Sequence, residues 1–516
     1  MGRACVIGAG SSGIASCQVL HARGIPFDCF EAGSAVGGNW RYGNDNRMSA
    51  GYRSLHAASS RRGMQYAALS MPATYPDYPG HRLIAKYLDD VVDHFGFRGK
   101  IQFRTEVTRA EPAPGGGWDV TVRRRGSGAA RTERYQWLLV ANGHHWQPRY
   151  PEPALPGASG FGGEQLHSRD YRAPEPFAGR RVLVVGIGNS ACDIAADCSQ
   201  AASRTFLAVR RGAHIVPKYL FGRPADRLTR SRLGAIAPPC LQRAAAAAIV
   251  ATARGRVTSY GLPRPDHQIL RAPPTVSDSL LSRLGHGDIT VKPAIDRFGA
   301  ERVHFADGSA ERIDVVIYCT GYRISFPFLS EALSEPLTGA GGAAIPLYRR
   351  VAAPHLPGLY FIGLVQPIGA TMPIAEAQSH WVADLVEGRA ALPPEPAMYR
   401  EIARYEAVAG KRYAGASGPP IQVGFLAYQR ELRRERRTGA RRSRLIRRGL
   451  ADPPRMPAAL PVRYPARVPD PPRAADPPRA PDPPAARSSS PSERAAPPEP
   501  GRGRCVSGTA CRAAGW

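Results

Sequence analysis

The sequence predicts an α/β fold of two Rossmann-like dinucleotide-binding domains, the second inserted into the first, followed by a disordered C-terminal tail. Three observations predict it. A short apolar run ends at Ile7 and opens into Gly8-Ala9-Gly10-Ser11-Ser12-Gly13 and a helix-forming stretch. The same layout returns at Arg181 to Val185, followed by Gly186-Ile187-Gly188-Asn189-Ser190-Ala191. From about Ala440 the composition shifts to Pro, Arg, Ala and Ser.

The first unit reads as a strand from Arg3 to Ile7, a helix through Leu20 and a second strand from Phe27 to Phe30, a β-α-β opening. In that context each glycine has its own task. Gly8 permits the tight turn, Gly10 lets the backbone approach a pyrophosphate, and Gly13 lets helix and strand pack closely. The N–H groups at the helix start, around Ser11 and Ser12, face the anion. Glu31 ends the second strand, where a carboxylate accepts hydrogen bonds from the ribose hydroxyls of an unphosphorylated adenosine. FAD and NAD fit such a site, and NADP does not.

In the second unit a helix runs from Ser190 toward Ser199 and a strand from Thr205 to Val209. Ala191 replaces the third glycine, which the packing role allows, while Asn189 and Ser190 suit the capped helix start. The informative position now holds Arg210, with Arg211 after it. Two planar, bidentate guanidinium groups match the oxygens of a ribose 2′-phosphate, so this unit is expected to take NADPH.

Between the units, Trp118–Val122 and Trp137–Ala141 look like strands bracketing a polar turn at Arg124 to Gly128, a β-meander on the first unit. After the second unit, Arg302–Phe305, Asp314–Tyr318 and Leu359–Gly363 read as strands, leading to a helix over Ala375–Val386 that returns to the first domain. The expected division is an FAD-binding domain over 1–176 and 323–438, an NADPH-binding domain over 177–322 between them, and a tail over 439–516. In the tail, Asp470-Pro471-Pro472-Arg473 recurs as Asp476-Pro477-Pro478-Arg479 and Asp482-Pro483-Pro484. Such sequence buries too little to offset its chain entropy.

With 516 residues, 43% of them hydrophobic, the chain has room for two or three buried cores and is no single small module. The net charge of +27 draws polyanions without choosing among them, and no specific nucleic-acid partner is read from it. Nine cysteines form no C-x-x-C pair, and no signal-peptide pattern opens the chain, so a reduced, cytoplasmic protein is expected. The apolar run Ala244–Ala251 falls short of the ~20 residues of a spanning helix and reads as buried or surface-docked. Tyr428–Arg437 is a basic helix with a solvated face, and peripheral contact through this C-terminal region is left open, as is the oligomeric state.

The segment from Phe161 to Tyr171, with Gly163 and His167, matches F-x-G-x-x-x-H-x-x-x-Y. Further segments accompany it in order: Gly37-Gly38-Asn39-Trp40, Tyr52-Arg53-Ser54-Leu55-His56, Cys319-Thr320-Gly321-Tyr322, and Leu359 to Gly363 with Glu376 and Gln378. Together, from Ala4 to Arg437, they resemble the flavin-containing monooxygenase family. The resemblance implies FAD held by Gly8, Gly10, Ser11, Ser12, Gly13, Glu31, Asn39 and Trp40, with Val107 near its adenine. It implies NADPH held by Gly186, Gly188, Asn189, Ser190, Asp193 and Arg210, with Arg211 beside it, and His167 at the join between domains. The implied activity uses NADPH and O₂ to form a C4a-hydroperoxyflavin that oxygenates a nucleophilic N or S of a small organic substrate. It asks no catalytic acid, base or metal ligand of the protein.

Two alternatives accompany this reading. Baeyer–Villiger oxidation of a ketone is one, though relatives of that kind typically carry Trp followed by Pro or Asp where this chain has Tyr171 and Arg172. A flavin-fold scaffold with a basic partner-binding tail is the non-enzymatic one. Disulfide reduction normally needs the redox Cys pair that is missing here. The chain departs from the family pattern in two places. Cys319 stands for the usual Ala, and the Asn of Ser-Leu-His-x-Asn is replaced by Ala58, with Ser59 next to it.

Overall fold

A computed structural model describes residues 2–229, 239–338, 345–412 and 421–451. Two five-stranded parallel sheets organise it. The first has the order Leu359–Phe361, Trp137–Val140, Ala4–Ile7, Phe27–Phe30, Ile101–Gln102. The second has the order Ile289–Lys292, Arg204–Ala208, Arg181–Val185, Val315–Tyr318, Glu164–His167. In each, the strand that leads into a glycine motif lies in the middle. Ala4, Cys5 and Val6, like Val182, Leu183 and Val184, are fully buried, as strands covered on both faces must be.

The helix Ser11–Ala22 lies against Met372–Val386, tied by Ser16 Oγ and Ser379 Oγ at 3.1 Å and by Arg23 Nη1 to Asp384 at 2.6 Å. Behind it runs Phe425–Arg447, whose buried residues Phe425, Tyr428, Leu432, Glu435, Gly439 and Ser443 recur at three- and four-residue steps. Its arginines face outward or reach the neighbouring helix, as Arg436 reaches Asp384 at 2.6 Å.

Three expectations are corrected. Trp137–Val140 is no arm of the meander, which consists of Thr105–Pro112, Trp118–Arg124 and Ala130–Tyr135. It pairs in parallel with Ala4–Ile7, and Leu138, Leu139 and Val140 are all buried, the continuous apolar pattern of an interior strand. Glu164–His167, assigned above to the first domain, forms the edge of the second sheet beside Val315–Tyr318. The chain leaves the second unit after Val315–Tyr318 to complete the first sheet, so the approaching chain fills that edge. The basic helix continues past 438 to Arg447, because Ser443 Oγ donates to the Gly388 carbonyl at 2.6 Å and Arg442 Nε to that of Ala391 at 2.9 Å. Of the two placements expected for the alanine-rich run, buried or surface-docked, the helix Pro239–Arg254 takes the surface one, with Leu241 59% exposed. No helix among the described residues is long and apolar enough to cross a membrane. The expected disordered tail lies outside the described residues from 452 onward.

Candidate active site

Both glycine turns are built alike. Gly8 has φ +96° and Gly186 φ +129°, a region that excludes side chains. The Gly8 N–H donates to the Phe30 carbonyl at 2.8 Å and that of Gly186 to Ala208 at 3.0 Å. A Cβ at Gly8 would stand 2.9 Å from the Ala141 oxygen, and one at Gly186 2.7 Å from the Cys319 oxygen. At Gly13 it would lie 1.8 Å from the Gly8 oxygen, which rules out any side chain there. The corresponding Ala191 is fully buried.

The helices Ser11–Ala22 and Asn189–Cys198 begin after Gly10 and Gly188, which provide no side-chain cap. Their first N–H groups therefore keep their attraction for an anion. A Cβ at Gly188 would meet nothing within 4 Å, and one at Gly10 nothing nearer than 3.7 Å, so space faces both helix starts. The donor set and the open cradle fit a pyrophosphate at each. Asn189 does not cap its helix, because its Oδ1 accepts the Val276 N–H at 2.9 Å.

The first turn opens on a cavity of about 590 Å³ whose wall includes Gly8, Gly10, Ser11, Ser12, Glu31, Asn39, Trp40 and Val107. Strands of the first sheet deliver Gly8, Glu31, Ala141 and Gly363 to it at their carboxyl ends, where parallel sheets bind ligands. Glu31 Oε2 accepts the Ala9 N–H and Oε1 that of Gly33, both at 2.7 Å, and Asn46 Nδ2 donates to Oε1 at 3.2 Å. Burial raises its pKa against these donors. Asn39 is fixed by the Ala50 N–H at 3.1 Å and the His145 carbonyl at 3.4 Å. Further back, Gln378 Oε1 accepts the Gly363 N–H at 2.8 Å and Glu376 accepts those of Ala67 and Ala68 at 2.7 and 2.9 Å.

Of the second motif, Asn189 reaches the same cavity wall, while Gly186, Gly188 and Ser190 do not line it. Arg210 and Arg211 are exposed beyond the strand Arg204–Ala208. Asp193, assigned above to the coenzyme, does not line the cavity and accepts the Tyr52 hydroxyl at 2.6 Å. His167 is buried between the rings of Tyr150 and Tyr322 and accepts the Arg169 N–H at 3.1 Å. Tyr171 is equally buried, its hydroxyl 3.2 Å from Asp197. Burial pushes the Cys319 thiol up, so it is no ready thiolate.

The sequence reading did not single out Asn142, His145, Lys218 or Asp226, which all line the cavity. Asn142 directly follows the strand Trp137–Val140 and Ala141, so a correct assignment of that strand would have marked it. The His145 ring lies against those of His144 and Tyr322, with centroids 4.1 and 5.5 Å apart. Lys218, between two short strands, and Asp226, in the first turn of the short helix Ala225–Thr229, follow the second unit's first three elements and carry no local motif.

Residues 1–454 match the family model described as flavin-binding monooxygenase-like. Human flavin-containing monooxygenase 5 is 34% identical over 444 residues, which cover 83% of this chain and 82% of that one. Rat dimethylaniline monooxygenase (N-oxide-forming) 2 is 32% identical over 441 residues, covering 83% and 81%. The structure of S-allyl-L-cysteine S-oxygenase from Allium sativum is similar with a TM-score of 0.62 at 25% identity, covering 87% of this chain and 93% of that one. On these matches, which span both glycine motifs and the cavity, the chain belongs to the flavin-binding monooxygenase-like family and is an FAD-dependent oxidoreductase.

Proposed function

We propose that this protein uses NADPH and O₂ to oxygenate a nucleophilic nitrogen or sulfur of a small organic substrate. The observation that carries this reading is the pair of uncapped helix starts, one beside Glu31 and the other on the unit that bears Arg210, with Gly10 and Asn189 on one cavity. Bound FAD, reduced by the nicotinamide, supplies the oxygen-activating chemistry. In this reading Gly8 to Gly13 and Glu31 hold the FAD pyrophosphate and ribose, while Asn39, Trp40 and Val107 line its place. Gly186 to Ser190 receive the coenzyme pyrophosphate, and Arg210 its 2′-phosphate. The apolar part of the wall, with Met48, Tyr78, Val216 and Phe328, keeps water away from the reacting atoms.

Relatives named for N-oxide formation and for S-oxygenation support nitrogen and sulfur as the atoms oxidised. Tyr171 followed by Arg172 stands against ketone insertion. The test is anaerobic reduction of the FAD-bound protein by NADPH, then mixing with O₂ and a tertiary amine, a sulfide or a ketone, with product analysis. N- or S-oxides are the expected products. An ester from the ketone, without oxides, would overturn the assignment of the atom, and a flavin that NADPH does not reduce would overturn the whole reading.

A further inference from the structure

We infer that the segment Tyr52–Ser60 is a positioning bridge that holds the coenzyme unit in register with the flavin cavity, with Tyr52 and Asp193 as its principal pin. The inference rests on the NADPH reading above.

Three hydroxyl groups of this segment reach three carboxylates, and all three carboxylates lie in the second nucleotide unit. The Tyr52 hydroxyl donates to Asp193 Oδ2 at 2.6 Å. The Ser54 hydroxyl donates to Asp197 Oδ2. The Ser60 hydroxyl and N–H donate to Asp226 Oδ2 at 2.8 and 2.9 Å. Asp193 and Asp197 stand one turn apart on the helix Asn189–Cys198, so two successive hydroxyls grip one face of the helix whose first turn receives the coenzyme pyrophosphate. Between the grips lie Ala57, Ala58 and Ser59, all on the cavity wall. A single short stretch of chain thus fixes the distance between the helix start and the wall.

Tyr52 is suited to the task. It is 4% exposed, its ring packs edge-on to Tyr171 with centroids 6.0 Å apart, and it belongs to the apolar core of the second unit. It does not line the cavity, so it acts through the helix and not on a reacting atom. Asp193 is mostly buried, and burial raises its pKa while the Tyr52 hydrogen bond opposes the rise. Hydride transfer needs reacting atoms about 3–3.5 Å apart, and a misplacement of about 1 Å costs up to ~100-fold. Loosening the bridge should therefore slow the transfer without removing any group that binds coenzyme.

The test uses full-length protein with its FAD. Tyr52→Phe keeps the ring and deletes the O–H, and Ser54→Ala deletes the second grip. At saturating NADPH, Tyr52→Phe should reduce its flavin about tenfold more slowly, and Ser54→Ala should slow it in the same direction. NADP⁺ affinity, FAD content and reduction by dithionite should stay as in the wild type. Asp193→Asn, which keeps an acceptor for the Tyr52 hydroxyl, should retain most of the rate, while Asp193→Ala should match Tyr52→Phe and add nothing in the double variant. Reduction within twofold of wild type in both hydroxyl variants would overturn the bridge and leave the proposed function standing. So would a slower rate that simply follows lost FAD or weakened NADP⁺ binding. A wild type that NADPH fails to reduce would overturn the proposed function, and the bridge with it.

Discussion

Arg211 Nε lies 2.8 Å from Asp266 Oδ2, whereas the adjacent Arg210 makes no ion pair among the described residues. The two arginines read together from the sequence therefore have different situations. Arg210 alone has an uncommitted guanidinium where a 2′-phosphate would arrive. Arg210→Ala should weaken NADPH use by ~1.5–3 kcal/mol, the scale of a charge-assisted hydrogen bond, and barely change NADH use. Arg211→Ala should have the smaller effect. Steady-state kcat/KM with both coenzymes checks this, and equal losses with NADPH and NADH would make Arg210 structural.

The last helix sets a second expectation. Its contacts with the rest of the fold extend to Ser443 and Arg447, both bonded to the Gly388 carbonyl, while Leu450 is 70% exposed. Ending the chain at Leu450 should leave FAD binding and NADPH oxidation intact. Ending it at Arg437 removes Arg442, Ser443 and Arg447 and should lower Tm, each lost hydrogen bond contributing about 0.5–1.5 kcal/mol. FAD lost from a soluble protein ending at Leu450 would contradict this boundary.

The parts of the site legible in the sequence are those whose chemistry is local. Gly8, Gly10 and Gly13 announce themselves because a turn, a close approach and a helix–strand contact each act within a few residues, and Glu31 ends the very next strand. Long-range pairing is not written this way. Trp137–Val140 carries the apolar run of a strand, but nothing near it says that its partner is Ala4–Ile7. Asp193 sits where a helix that binds coenzyme would place a polar residue, and only the folded chain brings Tyr52 to it from 141 positions away. Lys218 and Asp226 reach the cavity for the same reason, by the path of the backbone and not by a motif.

If the proposed function holds, Ala58 is expected to set how well reducing power is turned into product. It stands on the cavity wall between buried Ala57 and half-buried Ser59, at the place of the Asn in the pattern Ser-Leu-His-x-Asn, whose amide would face the flavin in the proposed function. A methyl group donates no hydrogen bond. Fixed donors in a water-poor cavity are what stabilise charge as it develops on oxygen, and removal of a single such donor can cost ~100-fold or more. The other candidates nearby are partly committed, since Asn142 Nδ2 already donates to the Ser325 carbonyl at 3.0 Å. Flavin reduction does not depend on this donor, so NADPH should be consumed normally while much of its reducing power appears as H₂O₂. Ala58→Asn should raise the product formed per NADPH and lower the H₂O₂, because the side chain at this position is open to the cavity and has room to grow. The measurement is the stoichiometry of NADPH, O₂, H₂O₂ and product for both proteins, with the anaerobic reduction rate as the control. A wild type that is already tightly coupled, or an Ala58→Asn variant no better than it, would show that another group, the Ser59 hydroxyl first, has taken over the role of the missing amide.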